Sequence, residues 1–113
     1  METKFAVKAL AAIAHESRLA AYRTLMQAGP GGLPAGQLAE IMGIAPSSLS
    51  FHLKELVNAD LLTSRQEGRF VFYSVKYNSM TSLLAYLTEN CCGGNPCTSV
   101  RNDMCANTQG ATP

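Results

Sequence analysis

Three positions, Ala39, Gly43 and Leu49, constrain this chain more than any other feature. Gly43 lies four residues after Ala39, and Leu49 six after Gly43. Two helices joined by a tight turn need that arrangement: a small residue where the helices cross, a glycine at the turn, and an apolar anchor on the second helix. The flanking residues agree. Residues 35–42 read as a short helix with Leu38, Ala39, Ile41 and Met42 inward, ended by Gly43. Pro46 suits the first turn of the next helix, where its missing N–H is not needed. Leu49, Leu53 and Leu56 stand at i, i+4 and i+7 and form one apolar stripe, with Ser47, Ser48, Phe51 and Lys54 on the opposite side.

On either side of this pair the periodicity places further elements. Residues 3–14 carry Phe5, Val7, Leu10 and Ile13 among alanines, which favour helix. Apolar residues on most sides of that helix suggest burial on two faces, one against a partner subunit. Ser17 is a candidate cap for the next helix, in which Leu19, Tyr22, Leu25 and Met26 recur at helical spacing, and Gly29-Pro30-Gly31-Gly32 stops it. From Leu61 the period changes to that of strands. Leu61–Arg65 and Phe70–Val75 flank Gln66-Glu67-Gly68-Arg69 and read as a hairpin. Residues 77–91 return to helix, and Tyr77, Met80, Leu84, Leu87 and Cys91 form a coiled-coil-like seam suited to a dimer. Gly93, Gly94 and Pro96 end regular structure. The expected organisation is one mainly α domain with a small β-hairpin (an α+β winged helix-turn-helix), dimeric, over residues 1–92, and a cysteine-containing tail over 93–113.

The 113-residue length and the hydrophobic fraction of 47% suit a single core. No apolar run approaches the length of a membrane-spanning helix, and the N-terminus lacks a signal-peptide pattern, so a cytoplasmic protein without membrane contact is expected. Net charge is only +1, so the expectation of DNA binding comes from pattern and not from overall charge. In a helix-turn-helix the second helix lies in the major groove with its first residues at base edges. Ser47, Ser48 and Ser50 are short enough to approach bases or phosphates, Lys54 can neutralise a phosphate, and Arg65 and Arg69 flank the hairpin tip. Taken singly, each of these residues is also an ordinary surface residue; together with the order of helices they predict a duplex reader.

Residues 9–90 resemble the ArsR (ArsR/SmtB) family of winged-helix repressors, in the stretches Ala-Leu-Ala-Ala-Ile-Ala-His-Glu-Ser-Arg-Leu (9–19), Gln-Leu-Ala-Glu-Ile-Met-Gly-Ile-Ala-Pro-Ser-Ser-Leu-Ser-Phe-His-Leu-Lys-Glu-Leu (37–56) and Ala-Asp-Leu-Leu-Thr-Ser-Arg-Gln-Glu-Gly-Arg (59–69). The resemblance implies a homodimer built from the first and last helices, with Phe5, Tyr77, Met80, Leu84 and Leu87 in the interface. It also implies an inverted-repeat double-stranded DNA operator and repression that an inducer relieves. Two positions depart from the family pattern. Ala45 stands where many members have a capping Ser or Thr. Phe51 stands where several have a base-contacting His, which leaves the adjacent His52 as either a DNA contact or a packing residue.

All four cysteines, Cys91, Cys92, Cys97 and Cys105, lie in the last quarter of the chain. A disulfide framework would be spread over the fold it staples. No cysteine lies in or before the recognition helix, and residues 76–91 contain no His, which argues against the metal sites that other family members use. Cys91, Cys92 and Cys97 resemble the C-terminal trithiolate sites of an arsenic-responsive subgroup. The resemblance implies trivalent arsenic as inducer, with antimony or methylarsenite as further candidates, and no cofactor for DNA binding itself. Soft thiolates suit such soft centres. Three alternatives stay open for these thiols: a redox-sensing disulfide between Cys91 and Cys97, a soft-metal or zinc site completed by Cys97 and Cys105, and simple burial of Cys91. An enzyme is not expected, since no anion-cradling loop or catalytic pair follows any cysteine.

Overall fold

A computed structural model describes residues 1–89. The four cysteines, the expected tail and the expected domain end at residue 92 lie outside them. The chain runs α1 (Thr3–Ile13), α2 (Glu16–Ala28), β1 (Leu33–Pro34), α3 (Ala35–Met42), α4 (Pro46–Asn58), β2 (Leu62–Glu67), β3 (Phe70–Val75) and α5 (Tyr77–Leu87). The three strands form one antiparallel sheet in the order β1-β3-β2. Residues 1–83 form one compact unit.

The helix-turn-helix follows from local chemistry. Gly43 ends α3 in the left-handed region, at φ 68°. Its N–H bonds to Glu40 O, and the Ile44 N–H reaches back to Ala39 O at 3.2 Å. That pair of bonds satisfies carbonyls the helix end leaves open, and glycine adopts the required backbone without a Cβ penalty. Pro46 then opens α4, whose cap residue Ala45 makes no side-chain hydrogen bond. The α4 stripe is fully inward: Leu49 is 1% exposed, and Leu53 and Leu56 are 0% exposed. With Leu25, Leu38 and Leu61 they make the centre of the core, and among the described residues that core contains no buried charged side chain.

Four local expectations are corrected. α2 is capped by His15 and not by Ser17: the His15 Nδ1 accepts the Ser17 N–H at 3.1 Å, so an imidazole does the work expected of a hydroxyl. Ile41 is turned outward and 56% exposed, because at about 100° per residue it falls well to one side of the face that Leu38 and Ala39 bury. β2 extends to Glu67, so the hairpin turn shrinks to Gly68-Arg69, with Gly68 at φ 62°. Glycine at the first central position is what a type II′ hairpin turn requires. α5 stops at Leu87, short of the expected residue 91: the Thr88 hydroxyl bonds Leu84 O at 2.9 Å, and the Glu89 N–H tightens onto Tyr86 O.

The sheet also holds an unexpected element. β1 is two residues long and pairs with β3, Leu33 opposite Tyr73 and Pro34 opposite Phe72. Proline is tolerated there because β1 is an edge. Gly32, at φ 72°, brings the loop so close to β3 that a Cβ would lie 2.2 Å from the Tyr73 carbonyl oxygen. At the other end of the hairpin, Asp60 takes the left-handed conformation (φ 67°) that closes α4. Its carboxylate accepts hydrogen bonds from Lys76 Nζ at 2.5 Å and Ser79 Oγ at 3.1 Å, tying the end of α4 to the start of α5. The Lys76 contact holds the Asp60 carboxyl below its ordinary pKa.

Candidate nucleic-acid interface

Burying Leu49, Leu53 and Leu56 forces the other side of α4 outward. Ser47, Ser48, Ser50, Phe51 and Lys54 are all exposed, and Phe51 is 56% exposed. Ser47, Phe51 and Lys54 stand at i, i+4 and i+7, so they share a strip along the helix. Four hydrogen-bonding side chains, one of them cationic, surround a large exposed aromatic ring. Such a surface offers donors and acceptors for base edges and phosphates.

His52 sits at the edge of this face, half-buried. Its Nδ1 accepts the Arg18 Nε–H at 3.2 Å. The His15 ring lies tilted against it, 4.6 Å between centroids, and the Phe51 ring meets it edge-on at 5.6 Å. The Arg18 guanidinium in turn lies over the Phe51 ring, 5.6 Å from its centroid. Burial first, and then His15 and Arg18, push the His52 imidazole below its ordinary pKa. His52 is therefore joined to α2 and its cap. Sequence spacing gives no hint of Arg18 as its partner, because the two are 34 residues apart.

The two wing arginines differ. The Arg65 Nε donates to Glu67 Oε2 at 2.6 Å, its Nη2 donates to Gly31 O at 3.1 Å, and its guanidinium lies 4.8 Å from the Phe72 centroid. Arg65 thus fastens the sheet to the loop before β1. Arg69 is exposed in the turn and has no partner among the described residues.

α1 has an inverted composition. Its buried residues are Ala6, Ala9 and Ala12, and small side chains let α1 pack closely on α2 and α4. Its large residues face out: Phe5 is 53%, Val7 59% and Leu10 43% exposed. Beside Phe5 a cleft of about 350 Å³ opens between α1 and the first turns of α5, lined also by Met1, Ala9, Leu61, Ser79 and Ser82. On α5, Tyr77, Leu84 and Leu87 are exposed and Met80 is half-buried. Among the described residues no cluster of His, Cys, Asp or Glu side chains is placed to hold a metal ion, and no helix is long and apolar enough to cross a membrane.

A family model described as a helix-turn-helix domain matches residues 13–65. The chain is 30% identical over 83 residues to the HTH-type transcriptional regulator YgaV of Escherichia coli, a match covering 74% of this chain and 82% of the relative. It is 33% identical over 81 residues to the arsenical resistance operon repressor of Bacillus subtilis, covering 72% of this chain and 73% of the relative. Among solved structures, HlyU from Vibrio cholerae is similar at TM-score 0.61 and 33% identity, over 77% of this chain and 97% of that one. The homodimeric winged helix-turn-helix DNA-binding domain of a Mycobacterium bovis protein shares the fold at TM-score 0.64 and 19% identity, over 92% of this chain and 84% of that one. With the helix-turn-helix, the wing and these relatives together, the chain belongs to the ArsR family of winged helix-turn-helix transcriptional regulators.

Proposed function

We propose that this chain is a homodimeric repressor that binds an inverted-repeat operator and is released by trivalent arsenic. The observation that carries the DNA reading is the α4 face. Ser47, Ser48, Ser50 and Phe51 project from the first turns of a helix whose opposite stripe is locked in the core. A recognition helix works by presenting its N-terminal residues to base edges while its other side is held rigidly. Lys54 and Arg69 then serve as phosphate contacts, and Arg65 holds the wing in position. The exposed apolar residues of α1 and α5 favour a second copy as partner, in keeping with the homodimeric neighbour of the same fold. That coverage leaves these large side chains out of water, which a monomer would not do.

The arsenic reading rests on sequence and kinship: three thiols close together at Cys91, Cys92 and Cys97, and similarity to an arsenical resistance operon repressor. In a regular helix, adjacent side chains point about 100° apart. Gathering Cys91, Cys92 and Cys97 on one soft atom therefore demands a non-helical backbone just beyond α5. Metalloid capture at that place reshapes the end of the dimer seam and the spacing of the two recognition helices. A coupling of about 1–3 kcal/mol loosens DNA binding roughly five- to 150-fold.

The test starts with selection of duplexes from a random pool by the reduced protein, followed by gel shifts with the selected duplex. Recovery of an inverted repeat supports the operator reading. Arsenite without oxidant is expected to release it. Cys91→Ser, Cys92→Ser and Cys97→Ser variants are expected to bind DNA and ignore arsenite, while Cys105→Ser behaves as wild type. Release by peroxide alone would replace the arsenic reading with a redox one, and release by cadmium or lead alone with a soft-metal one.

A further inference from the structure

A guanidinium held at the reading face without a carboxylate partner is an unfinished electrostatic arrangement. Among the described residues Arg18 forms no ion pair; its acceptor is the neutral imidazole of His52, and its Cζ lies 5.6 Å from the centroid of the exposed Phe51 ring. A ring nitrogen is a weak acceptor for a full cation compared with a phosphate oxygen, because charge-assisted bonds to an anion are roughly twice as strong. Phe51 shares its strip with Ser47 and Lys54, so an anion reaching Arg18 lies alongside the surface that meets DNA.

We propose that Arg18 and His52 form a site for a backbone phosphate of the bound duplex, in which the phosphate replaces His52 as acceptor for Arg18 and His52 takes up a proton. The proposal rests on the operator-binding reading above. In the free protein the His52 Nδ1 must stay unprotonated, since it accepts from Arg18 Nε. Once a phosphate oxygen accepts from Arg18, Nδ1 is free to bind a proton from bulk water and to donate to the same phosphate group. The neighbouring His15 ring has a separate structural task, since its Nδ1 accepts the Ser17 N–H that caps α2. The charged and titratable groups bearing on His52 from α2 and its cap are His15 and Arg18. Along α4, Lys54 and Glu55 follow it in sequence.

The sign of the linkage is definite. His52 has a folded-state pKa below its ordinary value, so in the absence of DNA it resists protonation and the fold loses stability as pH falls below about 6.5. A bound phosphate favours the imidazolium, so DNA binding strengthens over the same fall in pH. The two trends run in opposite directions, which separates the proposal from a general loss of structure.

The experiment measures duplex affinity by fluorescence anisotropy for the wild type, R18Q, R18K and H52Q, with two probes: the selected inverted repeat and a random 30-base-pair duplex. Backbone contacts are blind to sequence, so R18Q is expected to weaken both probes alike. It should also flatten the dependence of log affinity on log salt by about one per bound protomer. R18K, which keeps the charge, restores the slope. Wild-type affinity rises from pH 7.5 to pH 6.0, by up to about tenfold per unit for each proton taken up, and H52Q removes that rise. Thermal melts identify any variant that fails to fold, in which case R18K against wild type at both pH values carries the comparison. An R18Q salt slope equal to wild type, or a pH profile that H52Q reproduces, overturns the proposal. Failure of the wild type to bind either duplex overturns the operator reading instead.

Discussion

At the residue scale, single side chains carry more than composition suggests. Gly32 is required twice over, by its positive φ and by the 2.2 Å approach that a Cβ would make to the Tyr73 carbonyl. Neither a rotamer change nor a small shift relieves a clash with backbone. Gly32→Ala is expected to lower stability by about 1–3 kcal/mol, measured by urea denaturation at constant m-value. The same change at Gly31, where no atom lies within 4 Å of the added methyl and φ is not positive, is the control and is expected to be close to neutral. The strip Ser47, Phe51 and Lys54 and its opposite stripe of leucines were legible in the sequence because helical spacing alone separates them. Arg18 was not, since only packing of α2 against α4 brings it to His52.

At the scale of elements, the wing shows how identical side chains take different roles. The sequence offered Arg65 and Arg69 as equivalent flanks of a hairpin tip. In the folded sheet the extension of β2 to Glu67 aligns Arg65 with its carboxylate partner and with Phe72 across the ladder. Arg65 becomes a brace, while Arg69 remains in the turn. R69A is expected to weaken DNA binding and flatten the salt dependence with no change in melting temperature. R65A is expected to cost up to about 1 kcal/mol of stability, because the pair is exposed and screened, and to loosen the β1–β3 edge. Amide exchange at the Leu33 and Tyr73 backbone reads that loosening. Equal effects of the two variants on salt slope would contradict the division of labour. Two helix ends, after α3 and after α4, use the same left-handed closure, but only Gly43 announces itself in sequence. At Asp60 a non-glycine residue is held there with its carboxylate bound by Lys76 and Ser79.

At the scale of the whole molecule, the proposed homodimer accounts for the large apolar side chains exposed on α1 and, separately, on α5. Phe5→Glu and Leu87→Glu are expected to yield a folded monomer, since neither side chain belongs to the buried core. Sedimentation velocity checks the mass, and circular dichroism checks the fold. Operator affinity should fall at least a hundredfold, since one protomer alone contacts a half-site. A wild-type chain that sediments as a monomer at operator-binding concentrations would remove this reading.

The order of helices, the helix-turn-helix and the hairpin are legible along the chain, because each rests on interactions within a few residues: a glycine that ends a helix, a proline that starts one, and a period that changes from 3.6 to 2. The two-residue strand β1, the outward turn of Ile41, the brace at Arg65 and the Arg18–His52 contact emerge only once the chain is folded. Each of these depends on groups distant along the chain meeting at one place, and local spacing holds no record of such meetings.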